Sequence, residues 1–215
     1  MAKRKVPTFD GPLYSDDDLA IALRPASEVA KRTLILWAVV LRSEGVPHAE
    51  VRQLIDQLEL WDNVSPKELS FLNERTPAPE LCRKMQWRLE SIWALLWALG
   101  DIEHLEWPRS MCDVPRLAKL LKPRENDRQF IAQAKLRSGA EILDAADLIM
   151  RINWAIRQSW INHEPIPEDL DGSGSAKRLP VRECAAVGVV EERHHALNWL
   201  IGFDRAPWDT VDTPT

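Results

Sequence analysis

Trp87-Arg88-Leu89-Glu90-Ser91-Ile92-Trp93-Ala94-Leu95-Leu96-Trp97-Ala98-Leu99-Gly100 is the stretch that decides the fold. Read at about 100° per residue it is apolar almost all the way round, the signature of a helix enclosed by others. Gly100 follows the last apolar residue and suits the left-handed conformation that ends a helix. Glu90 falls within about 60° of Trp87, Trp93 and Trp97 on the helical wheel, which sets a carboxylate among three indoles. A buried Glu has to be paired or protonated. The rest of the chain must therefore supply packing helices and a partner for Glu90.

Composition bounds the problem. The 215 residues are 45% hydrophobic and 28% charged, as in a folded domain that buries roughly 70% of its unfolded surface. Ten tryptophans stand against one tyrosine and fall mostly in apolar helical runs, which assigns them to the core rather than to a ligand box. The net charge of −5 argues against a nucleic-acid partner, and Lys3-Arg4-Lys5 is too small to reverse it. No apolar run follows that cluster, so no secretory signal is expected. The longest apolar runs, near 34–41 and 92–99, are far too short to cross a membrane. Cys82, Cys112 and Cys184 are odd in number and form no CxxC, which suits a reducing cytoplasm and offers no zinc site.

Outward from the central helix, the chain reads as helices and breaks. Residues 1–14 are an irregular arm, and 15–215 are expected to form a single helical domain. Ser15 precedes Asp16, Asp17 and Asp18, acids that complement a helix N-terminus. Ser27 is expected to cap a helix ending near Gly45, and another covers 47–60. Ser65-Pro66-Lys67-Glu68 is a capping box with proline at the first helical position. Pro77 and Pro79 break the chain before the central helix, about 79–99. Asp113 caps a helix ended by Pro123, and helices at 125–137 and 139–163 follow. The stretch 164–180, with Asp171-Gly172-Ser173-Gly174-Ser175, is an exposed loop. A last helix covers 181–201 with an interruption expected at Gly188, and 203–215 is an extended tail whose Trp208 must dock somewhere. No strand pattern emerges. The expected architecture is an all-α orthogonal bundle of about eight to nine helices around the central one.

Two helices carry residues that could do chemistry. On 139–163, Glu141, Asp144, Asp147 and Arg151 share an arc opposite Ile142, Ile149, Ile152 and Ile156. The same pattern describes a solvated face laced by an Asp147–Arg151 (i, i+4) pair. The last helix carries Glu191-Glu192-Arg193-His194-His195. Glu191…His194 and Glu192…His195 have the Glu-x-x-His spacing of di-iron bundles, but no second copy of that motif exists. No metal is expected, and Glu191, His194 and His195 are the residues that come closest to a ligand set. Neither a nucleophile elbow nor a glycine-rich phosphate loop occurs, and no cofactor is expected.

A set of stretches in order resembles the bacterial domain of unknown function 4272 family. They are Trp87-Arg88-x-Glu90 with Leu95-Leu96-Trp97-Ala98-Leu99-Gly100, then Arg137 with Glu141-Ile142-Leu143-Asp144. Asp147-Leu148-x-x-Arg151-x-x-Trp154-Ala155 follows, then Glu192-Arg193-His194-x-Ala196-Leu197-Asn198-Trp199-Leu200 and Trp208-Asp209-x-Val211-x-Thr213. The resemblance runs from about Arg32 onward. Pro214 stands where the family's usual ending carries Asp, so no role attached to that Asp is carried over. The family brings no established activity.

The resemblance does gather the polar members Glu90, Asp144, Asp147, Arg151, Glu192, Arg193 and His194 into one expected cluster. Such a cluster is first a structural pin in which arginines neutralise carboxylates, and second a functional pocket. The leading functional expectation is a non-catalytic cytoplasmic interaction or regulatory protein with a protein partner, in the manner of an immunity protein or antitoxin. The alternative is a hydrolase that uses the same residues, with His194 as the titrating group and Arg151 or Arg193 as an anion clamp.

Overall fold

The structure is a computed structural model that describes residues 22–124, 127–163 and 185–215. The arm at 1–14, the capping serine Ser15, the loop at 164–180, Cys184 and the start of the last helix lie outside the described residues. The helices are α1 (Ala26–Ser43), α2 (His48–Gln57), α3 (Pro66–Asn73), α4 (Pro79–Gln86), α5 (Arg88–Ala98), α6 (Val114–Leu121), α7 (Arg128–Ala132), α8 (Gly139–Asn162) and α9 (Val187–Leu200). No strand occurs among the described residues, so the fold is all-α. No helix is long and apolar enough to cross a membrane, again among the described residues.

Helix α5 is the enclosed one. Every residue from Leu89 to Ala98 is buried, as its all-round apolarity requires. It packs on α1 along one side and on α9 along another. α1 is nearly as deeply set and carries α2, α3, α4 and α7, while α8 lies against α9. The order of packing is thus α1, α5, α9, α8, with the smaller helices gathered on α1. Of the ten tryptophans, Trp37, Trp93, Trp97, Trp199 and Trp208 are buried, whereas Trp87 and Trp160 are exposed.

The central helix expected at 79–99 is two helices meeting at Trp87. Trp87 keeps helical dihedrals, but the hydrogen-bond ladder tightens there, with the Glu90 N–H donating to Trp87 O at 3.0 Å, a 3₁₀ spacing. On the near side of this break α4 buries only Met85, whereas α5 beyond it is buried from Leu89 to Ala98. Gly188 is no interruption, since α9 runs through it. Its reason is space. A Cβ there would lie 2.7 Å from two carbons of the Trp87 indole.

Local signals position the remaining elements. Glu68 N–H donates to Ser65 Oγ and Ser65 N–H to the Glu68 carboxylate, the expected capping box. Asp113 caps α6 through Arg116 N–H. Ser27 is no cap, because α1 begins at Ala26 behind Pro25. Residues 203–215, read as an extended tail, make 3₁₀ turns at Phe203–Arg205 and Trp208–Thr210.

Helix C-termini leave carbonyls without partners, and here arginines from elsewhere supply donors. Arg137 donates to Trp97 O, Ile102 O and Glu103 O beyond the end of α5. Arg24 donates to Trp199 O and, through its backbone, to Leu200 O of α9. Arg42 donates to Glu74 O and Arg75 O after α3, and Arg128 to Gln57 O of α2.

Candidate functional site: a polar hub on α9

Glu191 to His195 lie on consecutive positions of α9, and at about 100° per residue they face different neighbours. Glu191 faces solvent. Glu192 meets α5, accepting from Arg88 Nη1 at 2.9 and 3.1 Å and from Ser91 Oγ at 2.7 Å. Arg193 also meets α5, donating from Nε and Nη2 to Glu90 Oε2 at 3.0 Å. Its Nη1 donates to Glu106 O at 2.6 Å. His194 turns to α8, where Asn153 Nδ2 lies 3.0 Å from Nδ1. His195 presents its ring to the indole of Trp208, edge on, with centroids 4.6 Å apart.

The α5–α9 contact is a reciprocal pair of ion pairs. Arg88 and Glu90 of α5 oppose Glu192 and Arg193 of α9, so a shifted register would set like charges together. Glu90 is fully buried and Arg193 is 2% exposed. Such burial is tolerable because every side-chain nitrogen and oxygen of the pair has a partner. The second oxygen of Glu90 accepts from the backbone N–H of Cys112 at 2.5 Å. Burial, and then the neighbouring Glu90 carboxylate, push the Cys112 thiol up, so it stays protonated and unreactive.

His194 and His195 are held neutral by their surroundings. Burial first, then the Arg157 guanidinium and the repulsion that a protonated His195 would add, lower His194 to about 3. Burial and the Arg88 guanidinium lower His195 to about 4. With Asn153 donating to Nδ1, the proton of His194 sits on Nε2. That Nε2 is buried without a hydrogen-bond partner.

The expected cluster is only partly one place. Glu90, Glu192 and Arg193 come together, with Arg88 and Ser91 as members that periodicity did not single out. Asp147 and Arg151 pair with each other along α8 at 2.9 Å. Asp144 is exposed on the same helix. Glu141 is spent on local structure, closing a capping box with Ser138, whose hydroxyl and N–H hold its carboxyl below the ordinary range. For metal ligation, Glu191, His194 and His195 diverge to solvent, to Asn153 and to Trp208. Among the described residues no group of three His, Cys, Asp or Glu could hold an ion.

The seat of Trp208 joins this hub to α3. Trp208 is 2% exposed and packs on Trp199 and His195, with the guanidinium groups of Arg32 and Arg88 over its ring at 5.2 and 5.8 Å. Arg32 is itself held by the buried Glu68 at 2.6 Å. Asp209 then binds the N-terminus of α3, accepting from Ser65 Oγ at 2.7 Å and Lys67 N–H at 2.8 Å. Only the Trp208-Asp209 pair itself hinted at this in the sequence; the α3 end of the contact carried no signal.

Fold and hub together define an all-helical protein whose two central helices are joined by matched ion pairs. The chain belongs to the family described as Domain of unknown function (DUF4272), whose model matches residues 4–211. No curated protein and no solved structure matches it.

Proposed function

We propose that this is a non-catalytic interaction or regulatory protein in which the α9 hub is a structural pin. The observation that carries the reading is that the polar side chains of α9 converge on no common centre: Glu192 and Arg193 are paired with Arg88 and Glu90 of α5, His194 with Asn153 of α8 and His195 with Trp208. A hydrolase needs an acid, a base and an anion clamp converging on one reacting centre. Here the carboxylates Glu90, Glu192 and Asp147 are each neutralised by their own arginine. Interaction is then carried by the outer surface. Trp160 and Ile161 at the end of α8, 49% and 68% exposed, are the large apolar side chains most open to solvent among the described residues. An immunity- or antitoxin-like role suits the acidic charge of −5, which favours a basic partner.

The test is a pull-down of the tagged full chain from its native cell at endogenous level, read by mass spectrometry. A Trp160→Ala/Ile161→Asp variant serves as the control. The expected result is one stoichiometric protein partner that purified protein also binds and that the variant loses. Protein recovered alone, together with turnover of a test ester or phosphoester abolished by Glu192→Gln, would overturn the reading in favour of the hydrolase.

A further inference from the structure

The contact of the C-terminal tail with the helices has the properties of an exchangeable one. Its recognition is specific and charge-matched. Acidic Asp209 sits on Ser65 and Lys67 at the start of α3, and Lys67 Nζ donates to Asp209 O at 2.9 Å. The Trp208 indole sits between Arg32, Arg88, Trp199 and His195. Asn198 Nδ2 donates to Asp212 O at 2.9 Å. All of these seat groups belong to α1, α3, α5 and α9, so the seat is complete without the tail.

The connection to the tail is the weak part. Phe203–Arg205 is a single 3₁₀ turn in which Asp204 (φ 52°) and Arg205 (φ 53°) are successive non-glycine residues in the left-handed region. L-residues occupy that region at a cost, and two in a row compound it. Straightening residues 203–206 would relieve the turn and give about 13 Å of reach at about 3.3 Å per residue.

We infer that residues 206–213 exchange between two copies of this chain, each tail seating its Trp208 and Asp209 on α3 and α9 of the other. A two-fold exchange keeps every seat contact, because the incoming tail is chemically identical, and trades the two backbone hydrogen bonds of the turn, Arg205 N–H to Gly202 O and Ala206 N–H to Phe203 O, for relief of its two left-handed residues. This goes beyond the proposed function and does not depend on it, since both partners are this chain.

The test pairs two full-length variants. Ser65→Asp keeps an N-cap for α3 but sets a carboxylate against Asp209, so the chain repels its own tail. Asp209→Asn supplies an amide that donates to an Asp at 65 and still accepts from Lys67 N–H. In an exchanged heterodimer both seats are matched, one as Asp with Asn and one as in the wild type. Light scattering should find Ser65→Asp alone at 24.6 kDa and its equimolar mixture with Asp209→Asn at twice that mass. A mixture that stays at the monomer mass at every concentration overturns the inference. Should Ser65→Asp not fold, wild-type protein concentrated and warmed is measured against Asp204→Gly/Arg205→Gly. The dimer fraction is expected to fall at least tenfold once glycine removes the cost of the turn, and an equal fraction, or no wild-type dimer, overturns the inference.

Discussion

His194 shows what a single buried residue does to this protein. Its imidazole takes a proton near 6.5 in the unfolded chain and only at about 3 in the folded one. His195 behaves likewise, with about 4 in the fold. Between these values the unfolded state binds more protons, so stability is full above about pH 6.5 and is lost as the pH falls, at up to about 1.4 kcal/mol per pH unit for each histidine. His194→Asn keeps an acceptor for Asn153 but cannot titrate. Its melting temperature should therefore fall less steeply than that of the wild type between pH 6.5 and 4, as followed by circular dichroism. An identical slope in the two proteins would contradict the assignment of a neutral, buried His194.

At the scale of elements, the approach of α5 to α9 is set by Gly188 as well as by charge. Gly188→Ala would put a methyl 2.7 Å from the Trp87 ring, and overpacking of this kind costs about 1–3 kcal/mol. The same change in a Trp87→Ala background should cost little, because the obstructing ring is gone; equal losses in both backgrounds would mean that Trp87 is not the reason for the glycine. This helix pair also shows what was legible in advance. The all-round apolarity of α5, the Ser65–Glu68 capping box, the Asp113 cap and the end at Gly100 are local patterns, and local geometry enforces them. The break at Trp87 was not legible, since no proline or glycine marks it. The pairing of Glu90 was half legible. A buried carboxylate demanded a partner, but nothing local selects Arg193, 103 residues away, or indicates that Arg88 takes Glu192. Asp144 was drawn into the expected cluster because a polar arc reads the same whether it faces a site or solvent.

For the molecule as a whole, the polar residues of α9 fix its arrangement with α5, α8 and the tail. Apolar surface alone would let α5 and α9 slide, because a helix buried on every side has no preferred face. The opposed pairs Arg88–Glu192 and Glu90–Arg193 remove that freedom, a registry role of the kind best attested for buried ion pairs. The arginines at the ends of α2, α3, α5 and α9 act in the same sense, tying each helix terminus to another part of the chain.

On the proposed reading, Glu90 and Arg193 hold the fold rather than perform chemistry. A thermodynamic cycle of Glu90→Leu, Arg193→Met and the double variant, by chemical denaturation, tests it directly. The account predicts that each single change loses about 3–5 kcal/mol by stranding the other charge, while the double variant recovers most of the loss. Single variants as stable as the wild type, or more so, would contradict it and mark the pair as residues held at a cost for function.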